Sequence, residues 1–281
     1  MEIQNLSDIS YLLPSMTQTT ECDSLNAAEE DSTLYFDFIV LSAEYQRSMK
    51  RGDYTKAIEC STQMLEMGRQ NSNPFHISGD DFVTLHEKRA HAYIMAKEYD
   101  AAASDLEWIE GHSPLSEGNQ AEVLRGMVQL LQGKDPILLQ KQAGKGNLLA
   151  MLLANLRENT EAPKTEWMLL SREERIQKLV EGRHYEQVIE EIDKMDLNPQ
   201  NWNQRIENRK WSALKGVCYA LRGNYLQAIN EFKENNLFTD HQKLAVVYTK
   251  AAQKERAEKE LGKRFETDIQ SALIHQWMEK N

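Results

Sequence analysis

The first residues in this sequence that could do chemistry are His86, Glu87 and His91, in the run HEKRAH. A zinc hydrolase box needs two histidines at i and i+4 on one helical face, with a glutamate beside the first as general base. Here Ala90 occupies i+4 and His91 falls at i+5, about 140° round the helix from His86 by the 3.6-residue period. The pair cannot chelate one ion from a single face. Gly144, Lys145 and Gly146 suggest a phosphate-binding loop, yet the pattern GxxxxGK[ST] fails on both sides of Lys145, and GKG is expected to break a helix instead. Glu190 and Glu191 are neighbours, about 100° apart on a helix, which suits a solvated face rather than a paired acid and base. Cys22, Cys60 and Cys218 are widely separated and form no CxxC, so neither a disulfide framework nor a zinc knuckle is indicated. No nucleophile has a base and an orienting partner at a recognisable spacing. The reading is therefore non-enzymatic, with no metal and no cofactor expected.

The elements that would carry these residues are helices. Proline and glycine are sparse (6 and 13 of 281 residues), and the runs between them place apolar residues at helical spacing with no alternating strand pattern, which predicts an all-α fold. A formal net charge of −11, with no Lys/Arg block, argues against nucleic acid and against anionic membrane as partners. No apolar window approaches the length of a membrane span, and no charged start with an apolar run opens the sequence, so a cytoplasmic protein is expected.

The most informative stretch is Asn208 to Phe232, NRKWSALKGVCYALRGNYLQAINEF. It reads as a helix, a tight turn at Gly223 and a second helix. Two antiparallel helices nestle closely only where the side chains at their crossing are small. Gly216 and Ala228 supply that room, and Tyr219 and Phe232 fill what is left. Gly223 lets the backbone leave the first helix in a left-handed conformation. The pattern recurs at Gly52, Tyr54 and Ala57, at Tyr99 and Ala102, at Tyr185 and Val188, and at Ala245, Tyr248, Ala257 and Leu261, with a degenerate copy at Gly126 and Gly133. The repeated tyrosines Tyr54, Tyr99, Tyr185, Tyr219 and Tyr225 are expected to sit mostly in the core. Ser171 and Glu174 form a capping box, and LLAMLLANLREN, Leu148 to Asn159, is apolar on nearly all sides and expected to be buried.

On these residues the chain resembles the tetratricopeptide repeat family over roughly residues 34 to 262, although Trp211 and Leu214 each stand one position off the pattern. The resemblance implies a right-handed superhelical solenoid of stacked hairpins. Residues 1–32 are then a loosely ordered acidic tail and 33–114 two hairpins. Residues 115–168 form a degenerate hairpin plus the buried apolar helix, 169–262 three further hairpins, and 263–281 a C-terminal capping helix.

The resemblance also implies that the first helix of each hairpin lines a concave groove holding a peptide or helix of a partner protein. The groove residues would be Gln46, Glu87, His91, Val123, Met127, Leu130, Glu173, Gln177, Ala213 and Val217. Co-chaperones of this family hold acidic chaperone tails with a Lys and an Asn where this chain has Ser42 and Gln46, so that tail is not the expected partner. An apolar stripe suits an amphipathic helix or an extended apolar segment. Equally, the stripe is available to the chain's own Leu148 to Leu156 helix or to the apolar cluster Ile9 to Leu13. The functional expectation is a protein-binding scaffold or adaptor. The alternatives are a chaperone for an assembling or secreted client, or a secreted effector regulating a host protein.

Overall fold

A computed structural model describes residues 25–69, 79–113, 115–195, 202–234, 241–262 and 264–281. The expected tail up to residue 24, the loop before Gly79 and the connections around residues 196–201 and 235–240 lie outside the described residues. Every regular element among the described residues is helical: the fold is all-α. The chain divides into two compact units, 1–114 and 115–281.

The first unit contains α1 (Leu25–Arg51), α2 (Tyr54–Arg69), α3 (Gly79–Met95) and α4 (Tyr99–His112), each packed on the next in sequence. Helix α1 starts inside the stretch expected as tail, and α3 starts at Gly79, so Asp80 and Asp81 lie in its first turn. The core of this unit is built from Tyr45 and Met49 of α1, Ala57, Cys60, Met64 and Leu65 of α2, and Leu85 and Ala92 of α3. The Tyr45 hydroxyl donates to the Lys88 carbonyl (2.8 Å), pinning α1 to α3.

The second unit contains α5 (Leu115–Leu131), α6 (Ile137–Gly144), α7 (Leu148–Ala154), α8 (Arg172–Glu181), α9 (Tyr185–Asp193), α10 (Trp202–Leu221), α11 (Tyr225–Glu234), α12 (His241–Lys250), α13 (Lys254–Leu261) and α14 (Ile269–Lys280). Four hairpins, α5–α6, α8–α9, α10–α11 and α12–α13, pack internally, and α9 on α10 and α11 on α12 continue the succession.

One turn joins the helices of every hairpin in both units. At Gly223 (φ +81°) the amide donates to Ala220 O (3.0 Å) and the next amide, Asn224, to Tyr219 O (2.8 Å). These two bonds close a Schellman motif and satisfy carbonyls that the helix end would leave open. The same bond pair and a positive φ occur at Gly52, Lys97, Gly133, Arg183 and Ala252, and again at Gly146, where GKG separates α6 from α7. Three of these seats are filled by Lys97, Arg183 and Ala252, side chains that pay about 1 kcal/mol or more for a left-handed backbone. At the helix crossing beyond the turn, Gly216 lies where an added Cβ would stand 3.2 Å from Phe232 Cζ, so α10 and α11 meet there as closely as the sequence expects.

Helix α7 does not extend the succession. Asn147 caps it by accepting from Ala150 N (2.9 Å), Asn155 ends it in the left-handed region (φ +49°), and Leu149 to Leu153 are all buried. It packs on α6, α10 and α12. The strand of chain after it is lashed down: Tyr185 Oη donates to Leu156 O (3.2 Å), Glu186 N to Glu158 Oε1 (2.8 Å) and Arg222 Nε to Glu158 Oε2 (3.0 Å). The capping box forms as expected, with Ser171 N donating to Glu174 Oε2 (3.1 Å) and Glu174 N to Ser171 Oγ (3.4 Å).

Helix α14 likewise returns. It packs on α12, α13 and α5, burying Leu273, Ile274, Trp277 and Met278, and Lys280 Nζ donates to the Leu131 carbonyl at the end of α5. The first and last helices of the second unit are therefore in contact, which local periodicity does not specify.

Candidate partner-binding site

The residues expected to line a groove separate by exposure. On α1 and α3, Gln46 and Glu87 are exposed while His91 is buried. On α8, Glu173 and Gln177 are exposed. On α5 and α10, Val123, Met127 and Val217 are buried at 3%, 2% and 0% exposure, and Leu130 and Ala213 are half-buried. The cover comes from the chain itself, because α14 packs on α5 and α7 packs on α10. Tyr185 is fully buried, whereas Tyr54, Tyr99, Tyr219 and Tyr225 are half-buried, Tyr54 packing against the core of the first unit.

What stays open on the inner side of α5 is a cleft of about 410 Å³. Gln120, Val123 and Leu124 of α5, Asn147, Leu148 and Leu149 at the start of α7, Lys243 of α12 and Gln270 of α14 line it. Four aliphatic side chains thus face three carboxamides and an ammonium. Of these residues only Val123 is among the groove residues read from the sequence. The GKGN break marks Asn147 as a helix start, but nothing local marks Lys243 and Gln270, which arrive through the packing of α12 and α14. A second opening of about 260 Å³ lies among α6, α7, α8 and the start of α9, lined in part by Met151, Leu156, Val180, Arg183 and Tyr185.

The first histidine of HEKRAH has another occupation. His86 Nδ1 is 2.7 Å from Asp105 Oδ1, and Arg89 grips the same carboxylate with Nε (2.9 Å to Oδ2) and an Nη (2.7 Å to Oδ1). Burial would raise the Asp105 carboxyl, but the bonds from Arg89 and His86 outweigh it and hold the group below its usual range. The His86 ring stacks on Trp108 (centroids 3.9 Å apart), and Trp108 stacks in turn on His112 (4.1 Å). His86 Nε2 is buried and makes no hydrogen bond. The cluster ties α3 to α4. Among the described residues no group of three or more His, Cys, Asp or Glu side chains is placed to hold a metal ion.

Two comparable ties brace the second unit. Glu122 of α5, buried, meets Lys141 Nζ at 2.5 Å and accepts from Gln142 Nε2, both on α6. Lys215 of α10 lies 2.7 Å from Asp193 of α9 and 2.8 Å from Glu231 of α11. Cys60 and Cys218 are both buried, and burial pushes both thiols up from their usual range, the reverse of what a reactive thiolate requires. No described helix is long and apolar enough to cross a membrane.

Exposed apolar side chains occur elsewhere. Phe36 and Val40 lie one turn apart on α1. Met168 and Leu169 project from the short 3-10 turn 165–169, whose Trp167 packs edge-on against His184. Comparison with family models, curated proteins and solved structures finds no match in any of the three.

Proposed function

We propose that the chain is a non-enzymatic interaction scaffold of the tetratricopeptide type, a superhelical solenoid of hairpins that holds a peptide or helical segment of another protein. The observation that carries the reading is the cleft between α5, α7, α12 and α14. It is concave, within the ~300–1,000 Å³ range typical of ligand sites, and it sets aliphatic side chains beside polar groups able to orient an occupant. The recurring Schellman turn and the small-residue crossing at Gly216 support the family reading. The buried Val123 then forms part of the wall of the site, Met127 and Val217 are buried away from it, and Gln46, Glu87, Glu173 and Gln177 are the stripe residues a partner can reach. The ionisable groups fit the same reading: Asp105, Glu122 and Lys215 each join one helix to another.

Affinity capture with the full chain as bait tests this, comparing wild type with Lys243→Glu after circular dichroism has shown equal helicity. A partner held by the wild type and lost from the variant supports a scaffold that works through the cleft. A partner retained by both moves the site to the exposed stripe, and no partner from any lysate in which the protein is native removes the scaffold reading.

A further inference from the structure

We propose that the outer face of α1 pairs, antiparallel, with the same face of a second copy of this chain. Phe36, Val40, Ala43, Arg47 and Lys50 follow one another at intervals of four and three residues, which keeps them within about 80° of one another round the helix. All five are exposed, Phe36 at 66% and Val40 at 47%. Tyr45, nine residues after Phe36, points the opposite way: it is buried and bonded to the Lys88 carbonyl of α3. The packing of the first unit therefore occupies the far side of α1 and leaves this stripe outward. Among the described residues no other α-helix carries two exposed large apolar side chains. A single exposed apolar residue is ordinary, whereas a pair on one helical stripe marks a contact surface.

The stripe is divided along its length. Its first half is apolar, Phe36, Val40 and Ala43, with the exposed Asp37 beside it. Its second half is basic, Arg47 and Lys50, with Arg51 on its flank. A parallel copy would set basic end against basic end. An antiparallel copy, related by a twofold axis beside Ala43, sets each end against its complement. Asp37 then meets the partner's Lys50, and Phe36 lies against the aliphatic stem of the partner's Lys50, where its ring face attracts the cation. Arg47 already holds Glu44 of its own helix, so what it offers across the contact is its stem, laid against the partner's Val40. Ala43 is small enough for the two axes to cross closely. The arrangement is isologous, so every contact is made twice. A stripe of this length stands at the small end of specific interfaces, which bury about 1,200–2,000 Å², and a dissociation constant of about 1–100 μM is expected.

Analytical ultracentrifugation of the full chain, across concentrations spanning the micromolar range, reads the association. The wild type should pass from monomer to dimer, and Val40→Glu should weaken the dimer about tenfold or more with helicity unchanged, since the side chain is exposed. Asp37→Lys alone and Lys50→Asp alone should each weaken it about tenfold, because each sets like charges together twice. An equimolar mixture of those two variants should recover the wild-type association, since both contacts in the mixed dimer join opposite charges. A chain that stays monomeric at every concentration overturns the proposal and gives the stripe to the chain's own Ile9 to Leu13 cluster or to an unlike partner. A dimer indifferent to Val40→Glu, or charge variants that fail to recover on mixing, would overturn it as well. None of these results bears on the cleft, which is lined from α5, α7, α12 and α14 and not from α1.

Discussion

Substituting alanine at Gly126 should destabilise the second unit, against the usual direction for a glycine inside a helix. A Cβ built there would lie 2.8 Å from Leu139 Cγ, 2.9 Å from Leu139 N and 3.1 Å from Leu139 Cδ2. Ordinary carbon contacts stand at about 3.5–4.0 Å, so α5 and α6 would have to separate by roughly 0.7 Å or more. One of the opposing atoms is backbone and cannot swing away as a rotamer would. The Glu122 tie to Lys141 and Gln142 crosses the same helix pair and resists the movement. Removing the glycine favours the helix by about 1 kcal/mol, and overpacking a close contact costs about 1–3 kcal/mol, with this site at the upper end. A net loss of about 1–2 kcal/mol is expected. Gly144→Ala is the control within the same unit: nothing lies within 4 Å of its added Cβ, so a change between zero and a gain of about 1 kcal/mol is expected. Urea unfolding followed by circular dichroism reads both, and with a slope of about 2 kcal/mol/M the Gly126→Ala midpoint should fall by roughly 0.5–1 M. If Gly126→Ala matches or exceeds Gly144→Ala in stability, the close approach of α5 and α6 is not the constraint argued here.

Asp105→Ala should cost the first unit about 3 kcal/mol or more, because it strands Arg89 and His86 without the buried carboxylate both engage. Thermal unfolding followed at Trp108 should report this, and a loss below about 1 kcal/mol would remove the cluster from the account of stability. The same carboxyl is held below its unfolded value. Its contribution is complete above about pH 3.9 and disappears as pH falls through the lower folded value. Asp105→Asn should therefore flatten the acid limb of stability against pH. Lys250 changes stability with pH in the same direction, at the alkaline end: burial lowers it to about 8, so the folded chain gives up this proton before the unfolded one, and Lys250's share of stability rises between about pH 8 and 10.4. Lys250→Met should remove that rise; an unchanged slope in urea midpoints across this window would show that the ammonium is solvated.

Helix identity and hairpin turns were legible because they depend on local spacing. A Tyr two residues after the turn marks the seats at Lys97 and Arg183, which are not glycine, and Gly216 marks the close crossing with the helix that carries Phe232. Tertiary return was not legible. The all-apolar face of α7 says that it is covered without saying by α10 and α12, and α14 shows nothing in its own residues that selects α5. For that reason Lys243 and Gln270, brought to the cleft by those returns, could not be read from the stripe on the first helices. HEKRAH sets His86 beside residues of its own helix, whereas its partner Asp105 is on the next helix, beyond any short motif.

The contact between α14 and α5 also bears on how this chain can change over generations. A row of helical pairs that is open at its end can gain or lose a pair by duplication or deletion, and each new member needs only one compatible neighbour. In the second unit a further pair inserted between α5 and α14 would carry α14 away from the Leu131 carbonyl and from the wall it completes around the cleft. The number of pairs is thus fixed by closure. Variation in length should accumulate in connections such as 155–171 and be rare in the count of helices, which sequencing of related chains would show directly.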